Sequence, residues 1–188
     1  MKKAIFIDKD GTLIEDIPYN VDPALLRFTD GALEALKTFR HLRFSIFVVS
    51  NQSGIARGYF NQEDLHHLQV SLDKMLKASG VQVDEFFFCP HHPEGQVAPY
   101  NVECNCRKPQ PGMILKAAEE FKIDLTHSWM IGDILHDVEA GNRAGCKTVL
   151  LNNGHETVWE ISEYRRPTAV VSSFKEAVRV IAHQCELA

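Results

Sequence analysis

Two aspartates one residue apart close an apolar run near the start of the chain, Ala4-Ile5-Phe6-Ile7-Asp8-Lys9-Asp10-Gly11-Thr12. Carboxylates held that close repel each other unless a cation or a shared proton lies between them. The pair suits a reaction in which one carboxylate attacks as a nucleophile while the other handles a proton. The apolar residues before Asp8 read as a strand, and Gly11 lets the chain turn away after it. A second set of reactive side chains lies mid-chain, where Cys89-Pro90-His91 and Cys104-Asn105-Cys106 stand twelve residues apart. Three thiolates and one imidazole make a closed tetrahedral donor set, the structural type of zinc site, with Cys89, His91, Cys104 and Cys106 as ligands. His92 competes with His91 for the fourth place. Cys146 and Cys185 read as core or surface thiols.

The elements that must position these groups alternate. Strands are expected at Lys3–Ile7, Phe44–Val49, Glu85–Phe88, Trp129–Ile131, Lys147–Leu151 and Ala169–Val171. Helices are expected at Gly31–Leu42 with Asp30 as N-cap, Gln62–Ser79 after Asn61, Gly112–Phe121 after Pro111, Asp137–Ala144 closed by Gly145, and Lys175–Cys185. This rhythm predicts an α/β fold, a Rossmann-like three-layer sandwich with a mostly parallel central sheet covered on both faces. Ligands of such sheets bind at the carboxyl ends of strands, which sends Asp8, Ser50 and Asp133 to one crevice. Only Cys89–Lys108 breaks the pattern, a twenty-residue connection with three prolines before Lys108-Pro109. Zinc would explain how a loop of that length stays ordered, and would aim Lys108.

At 188 residues with 45% apolar content, the chain suits one domain, residues 1–188, with the zinc loop at 89–106. The net charge of −5 argues against a nucleic-acid partner. Met1-Lys2-Lys3 imitates a signal peptide, but the apolar run ends too soon for one, and no stretch is long enough to span a membrane. A cytoplasmic monomer is expected, with its five cysteines reduced or metal-bound. Glu160–Arg166 reads as a solvated charged face.

Four segments line up in chain order: Asp8-Lys9-Asp10-Gly11-Thr12, Val48-Val49-Ser50-Asn51-Gln52, Arg107-Lys108-Pro109, and Ile131-Gly132-Asp133 with Asp137 four residues on. Alone, each has an ordinary structural reading as a turn, a helix cap, a solvated lysine or a strand-to-helix turn. Together they resemble the four signature motifs of the haloacid dehalogenase superfamily of phosphohydrolases. The resemblance implies that Asp8 attacks phosphorus to form an aspartyl-phosphate and that Asp10 protonates the leaving oxygen, then takes a proton from water. It gives Ser50 as a hydroxyl donor and Lys108 as the fixed positive charge on the phosphoryl group. Mg²⁺ would be held by the Asp8 carboxylate, the Asp10 backbone carbonyl and Asp133, with Asp137 behind them or opening the next helix.

The string Cys89-Pro90-His91-His92 through Cys104-Asn105-Cys106-Arg107-Lys108-Pro109 resembles a zinc-loop branch that holds sugar-bisphosphate and histidinol-phosphate phosphatases. The continuation Ser53-Gly54-Ile55-Ala56-Arg57-Gly58 favours the sugar side. By the same resemblance Arg107 contacts substrate, and Asp16 to Tyr19 line the sugar side of the pocket with Ser50, Asn51, Gln52 and Ser53. Ser50 stands where threonine is usual, and Ile134 where a basic residue usually follows Gly-Asp. Neither the Asp8–Ser50 gap nor the Ser50–Lys108 gap has room for a cap domain, so the pocket should be open. A phosphorylated sugar is the expected substrate. Alternatives are histidinol phosphate, the 3′-phosphate of DNA, and a catalytically idle zinc-stabilised binding module.

Overall fold

The computed structural model describes residues 1–186. Six strands, β1 (Ala4–Ile7), β2 (Ser45–Asn51), β3 (Glu85–Cys89), β4 (Trp129–Gly132), β5 (Lys147–Leu151) and β6 (Ala169–Val171), form one sheet in the order β3-β2-β1-β4-β5-β6. Every pairing is parallel. The helices are α1 (Ala32–His41), α2 (Gly54–Arg57), α3 (Gln62–Ala78), α4 (Gly112–Phe121), α5 (Leu135–Ala144) and α6 (Phe174–Glu186).

Near-continuous apolar strands follow from burial on both faces, since side chains alternate between two cores. Ile5, Ile7, Ile46, Val48, Trp129 and Ile131 pack on one side against α1, α3 and α6. Ala4, Phe6, Phe47, Val49 and Met130 pack on the other against α4 and α5. In α1 the apolar positions Ala32, Ala35, Leu36 and Phe39 fall on one helical face, and all four are buried. Phe39 alone, fully buried and edge-on to Phe44, carries about 3–5 kcal/mol that alanine would forfeit. Among the described residues no helix is long and apolar enough to cross a membrane.

The strands lie within two residues of their expected bounds, but β2 runs on to Asn51, so Ser50 ends inside the strand rather than after it. Asp30 does not cap α1. Gly31 takes the cap position in the left-handed region, at φ 75°, and gives no side-chain bond, so the Ala32 N–H donates to the Thr29 carbonyl instead. The four-residue α2 was not expected, being too short to show periodicity. Helix α5 begins at Leu135, two residues before Asp137, whose carboxylate accepts from the Ile134 N–H as the acid of the first turn. Arg165 is not part of a solvated face: its Nε donates to Glu139 Oε2 at 2.8 Å. The β1–β2 and β2–β3 connections hold only α1 with a 3-10 turn at Pro23–Leu25, and α2 with α3, so no cap domain is inserted there.

Candidate active site

Asp8 leaves the end of β1 at the centre of the sheet, its N–H donating to the Ile131 carbonyl of the adjacent β4. Gly11 then turns the chain at φ 83°, where a side chain would collide with Asp133 and His155. Strand β4 delivers Asp133, and Asp137 follows one helical turn later on α5, where Gly132 leaves room for its carboxylate. Carboxylate oxygens of Asp8, Asp133 and Asp137 all lie within 4.8 Å of one another.

Three buried acids would not tolerate that proximity alone. Lys108, 4% exposed, ion-pairs with Asp8 and places Nζ 2.7 Å from Asp137 Oδ1 and 3.0 Å from the Val49 carbonyl, to which it donates. Burial by itself would discharge the ammonium, but Asp137 and Asp8 outweigh it and hold the lysine firmly charged. Asn51 fixes the lysine's backbone: the Lys108 N–H donates to Asn51 Oδ1 at 2.9 Å, and Asn51 Nδ2 donates to the Lys108 carbonyl at 3.0 Å.

One ammonium does not balance three carboxylates. Burial pushes Asp8 well above the usual carboxylate range despite Lys108, with Asp137, Asp133 and Asp10 adding to the rise. Burial and then Asp137 likewise raise Asp133, against donors from Thr12 (3.0 Å to Oδ1) and His155 (2.5 Å to Oδ2). The contact from Lys108 leaves Asp137 Oδ1 buried without a directional hydrogen bond. A hard divalent cation fits this all-oxygen, over-anionic set and would satisfy the spare oxygen. The structure therefore places Asp137 beside the expected ligands Asp8 and Asp133. The Asp10 side chain stands outside that cluster, held by Lys9 Nζ at 3.0 Å and by Gln52 Nε2, which donates to its Oδ2 at 2.9 Å. Gln52 Nε2 also donates to Ser50 Oγ at 2.7 Å.

These groups line an open cleft of about 340 Å³ formed by Asp8, Asp10, Asp16, Lys108, Asp133 and His155 among others. A second hollow of about 260 Å³ adjoins it through Asp10, Asp16 and Asn51, and is walled by Pro18, Tyr19, Gln52 and Ser53. Tyr19, at φ 57°, sets its ring edge-on to Tyr59 at 4.6 Å.

The mid-chain loop gathers as its donor set requires. Donor atoms of Cys89, His91, Cys104 and Cys106 lie within 4.8 Å of one another, and all three cysteines are free thiols. The thiol of Cys106 is lowered to about 5, chiefly by its contact with Cys89, so the cluster already favours a thiolate. His92 turns away, with Nε2 3.2 Å from Arg57 Nη2. Arg107 follows the last cysteine directly and lies with Arg57 and Tyr19 within electrostatic reach.

Residues from three places were not foreseen. Thr12 and His155 grip Asp133, while Asn153 Nδ2 donates to the Gly11 carbonyl at 2.7 Å. Glu156 accepts from the Leu135 N–H at 2.6 Å. Arg57 joins His92 and Arg107, the last of which is within electrostatic reach of Tyr19. The usable signal was position: Asn153 to Glu156 directly follow β5, at the same carboxyl edge of the sheet as Asp8 and Asp133.

A HAD-hydrolase-like family model matches residues 105–177. A D-glycero-beta-D-manno-heptose-1,7-bisphosphate 7-phosphatase of Pasteurella multocida is 44% identical over 155 residues, covering 82% of this chain and 84% of its own length. The protein of that name from Escherichia coli K12 is 40% identical, covering 79% and 78%. The crystal structure of D,D-heptose 1,7-bisphosphate phosphatase from B. bronchiseptica, complexed with magnesium and phosphate, superposes with a TM-score of 0.79 at 28% identity, covering 97% of this chain and 99% of that one. With the acid cluster, the lysine and the parallel sheet in place, relatives at this identity show that the chain belongs to the haloacid dehalogenase-like hydrolases, among their phosphoric monoester phosphatases.

Proposed function

We propose that the protein removes the 7-phosphate of D-glycero-D-manno-heptose 1,7-bisphosphate in two steps through Asp8. The observation that carries this reading is the shared cleft in which the Asp8 carboxylate, the Lys108 ammonium and the Asp133 and Asp137 carboxylates meet. In the first step an Asp8 oxygen bonds to phosphorus as the bond from phosphorus to the C7 oxygen breaks, and Asp10 gives that oxygen a proton. In the second, water loses a proton to Asp10, attacks the aspartyl-phosphate and releases inorganic phosphate, restoring Asp8. Lys108 and the Ser50 hydroxyl counter charge on the phosphoryl oxygens. Asp8 and Asp133, the Asp10 carbonyl and Asp137 nearby would hold Mg²⁺, which supplies the positive charge that keeps Asp8 ionised and admits an anionic phosphate.

The substrate rests on the relatives' names and on charge. Arg57 and Arg107 lie within electrostatic reach of each other, and burial together with both of them holds His92 toward its neutral form, so the two guanidiniums are the positive charge available to a second phosphate. Asp16, Tyr19, Asn51, Gln52 and Ser53 wall the adjoining hollow, where sugar hydroxyls would sit. Cys89, His91, Cys104 and Cys106 would hold a structural Zn²⁺ that orders the loop leading to Lys108. The one continuous sheet supports a single domain, and the net charge of −5 speaks against a nucleic-acid partner; the protein would act as a cytoplasmic monomer.

Phosphate release with Mg²⁺ tests the reading on the heptose bisphosphate, histidinol phosphate and a 3′-phosphorylated DNA. The heptose compound should lead in kcat/KM by at least about tenfold, or about 1.4 kcal/mol in the barrier, and Asp8→Asn should lose turnover while keeping its fold. A lead for histidinol phosphate would overturn the substrate, and an active Asp8→Asn protein the mechanism.

A further inference from the structure

We propose that His155, anchored by Asn153 and Glu156, is a positioning residue that fixes the Asp133 carboxylate for cation binding. The proposal rests on reading the acid cluster as the Mg²⁺ site.

Asp133 comes from a short strand-to-helix turn whose next residue, Ile134, has no polar side chain to brace it or to cap α5. The loop after β5 supplies what is missing. Glu156 Oε2 takes the Leu135 N–H at 2.6 Å, and its Oε1 takes the loop's own Val158 N–H at 2.8 Å. The loop is thereby tied to the first turn of α5 by an acid at the positive helix end. Across 142 residues of sequence, Asn153 reaches back to the nucleophile turn, donating to the Gly11 carbonyl at 2.7 Å. Its Oδ1 accepts the His155 N–H at 3.3 Å.

Between these two anchors His155 donates from Nδ1 to Asp133 Oδ2 at 2.5 Å, opposite Thr12, which donates to Oδ1 at 3.0 Å. The carboxylate is thus held at both oxygens, each keeping a lone pair for a cation. A methyl at Gly11 would stand only 2.7 Å from His155 Nδ1, so the ring reaches Asp133 because position 11 has no side chain. Partners of this kind fix ligand orientation, and losing one costs roughly 10–100-fold in metal affinity.

The test is Mg²⁺ affinity by titration calorimetry on zinc-replete, substrate-free protein. The series is His155→Ala, His155→Asn and His155→Gln, with Asp133→Asn as control and circular dichroism to verify folding. The Asn amide nitrogen overlays imidazole Nδ1, whereas the Gln amide overlays Nε2. The Ala and Gln variants should bind Mg²⁺ about 10–100-fold more weakly, the Asn variant within about threefold of wild type, and Asn153→Ala should weaken binding as well. In turnover assays the Mg²⁺ requirement should rise while kcat at saturating Mg²⁺ stays near wild type. Unchanged affinity in His155→Ala, or rescue by Gln as good as by Asn, overturns the positioning role while leaving the metal site standing. Absence of Mg²⁺ binding in wild type and Asp133→Asn alike sinks the metal site and this proposal together.

Discussion

Replacing Lys108 by methionine keeps the length of the side chain and deletes its charge. In the folded protein Nζ touches Asp8, Asp137 and the Val49 carbonyl in a place 4% exposed, and no other lysine or arginine is paired with these two acids among the described residues. The substitution strands buried carboxylates, a change that costs about 3–5 kcal/mol when one member of a buried pair is lost. For a protein of this size each kcal/mol lowers Tm by about 2–4 °C, giving about 6–20 °C. Proton uptake by Asp8, already raised by burial, limits the damage at low pH. The loss should therefore be largest near pH 8 and shrink by roughly half or more near pH 5. Urea unfolding in Mg²⁺-free buffer at both values measures it, with phosphate release recorded in parallel and falling by about 10²–10³-fold. A stability loss under about 1 kcal/mol at pH 8, or near-normal turnover, would refute the claim that this lysine offsets the acid cluster.

Stripping zinc should release residues 89–106 first: amide exchange should quicken there and Tm should drop, and an unaltered exchange map in chelator would remove the metal from that loop. In Mg²⁺-free buffer the raised Asp8 and Asp133 contribute stability below their unfolded pKa and lose it as pH climbs through the folded one. Tm should accordingly decline from about pH 5 to 8 and Mg²⁺ should abolish the decline; a rise over that window would reverse the sign argument. Gly132→Ala would drive a methyl into the Asp137 carboxylate, so turnover should fall about 10²-fold with the sheet intact by circular dichroism, and wild-type rates in that variant would count against the fit.

The sheet was readable because each strand is a largely apolar run three to seven residues long set off by turn residues, and strands buried on both faces leave that mark whatever their partners. Asp8 and Asp133 were readable for a different reason, since each stands at a strand end within a recognisable string, and Lys108 was readable from its own string at the close of the cysteine loop. What escaped was the chemistry of single loops. Asn153, His155 and Glu156 form no motif, and their targets lie 142, 22 and 21 residues away, a relation only the β1–β4 and β4–β5 pairings create. Asp30 was misjudged as a cap because the left-handed backbone at Gly31, which removes it from reach, has no sequence mark beyond the glycine itself. Asp137 was left between two roles and holds both, accepting from the Ile134 N–H while facing Lys108.

The cleft draws its acids and their supports from the ends of β1, β2, β4 and β5, the inner four of six strands. Each of these is zipped to a neighbour along both flanks, so none can peel away without tearing two ladders at once. Thermal fraying belongs instead to the borders, β3 and β6. An edge can breathe many times while the reacting atoms keep their spacing, which decouples the catalyst's precision from the looseness of its rim.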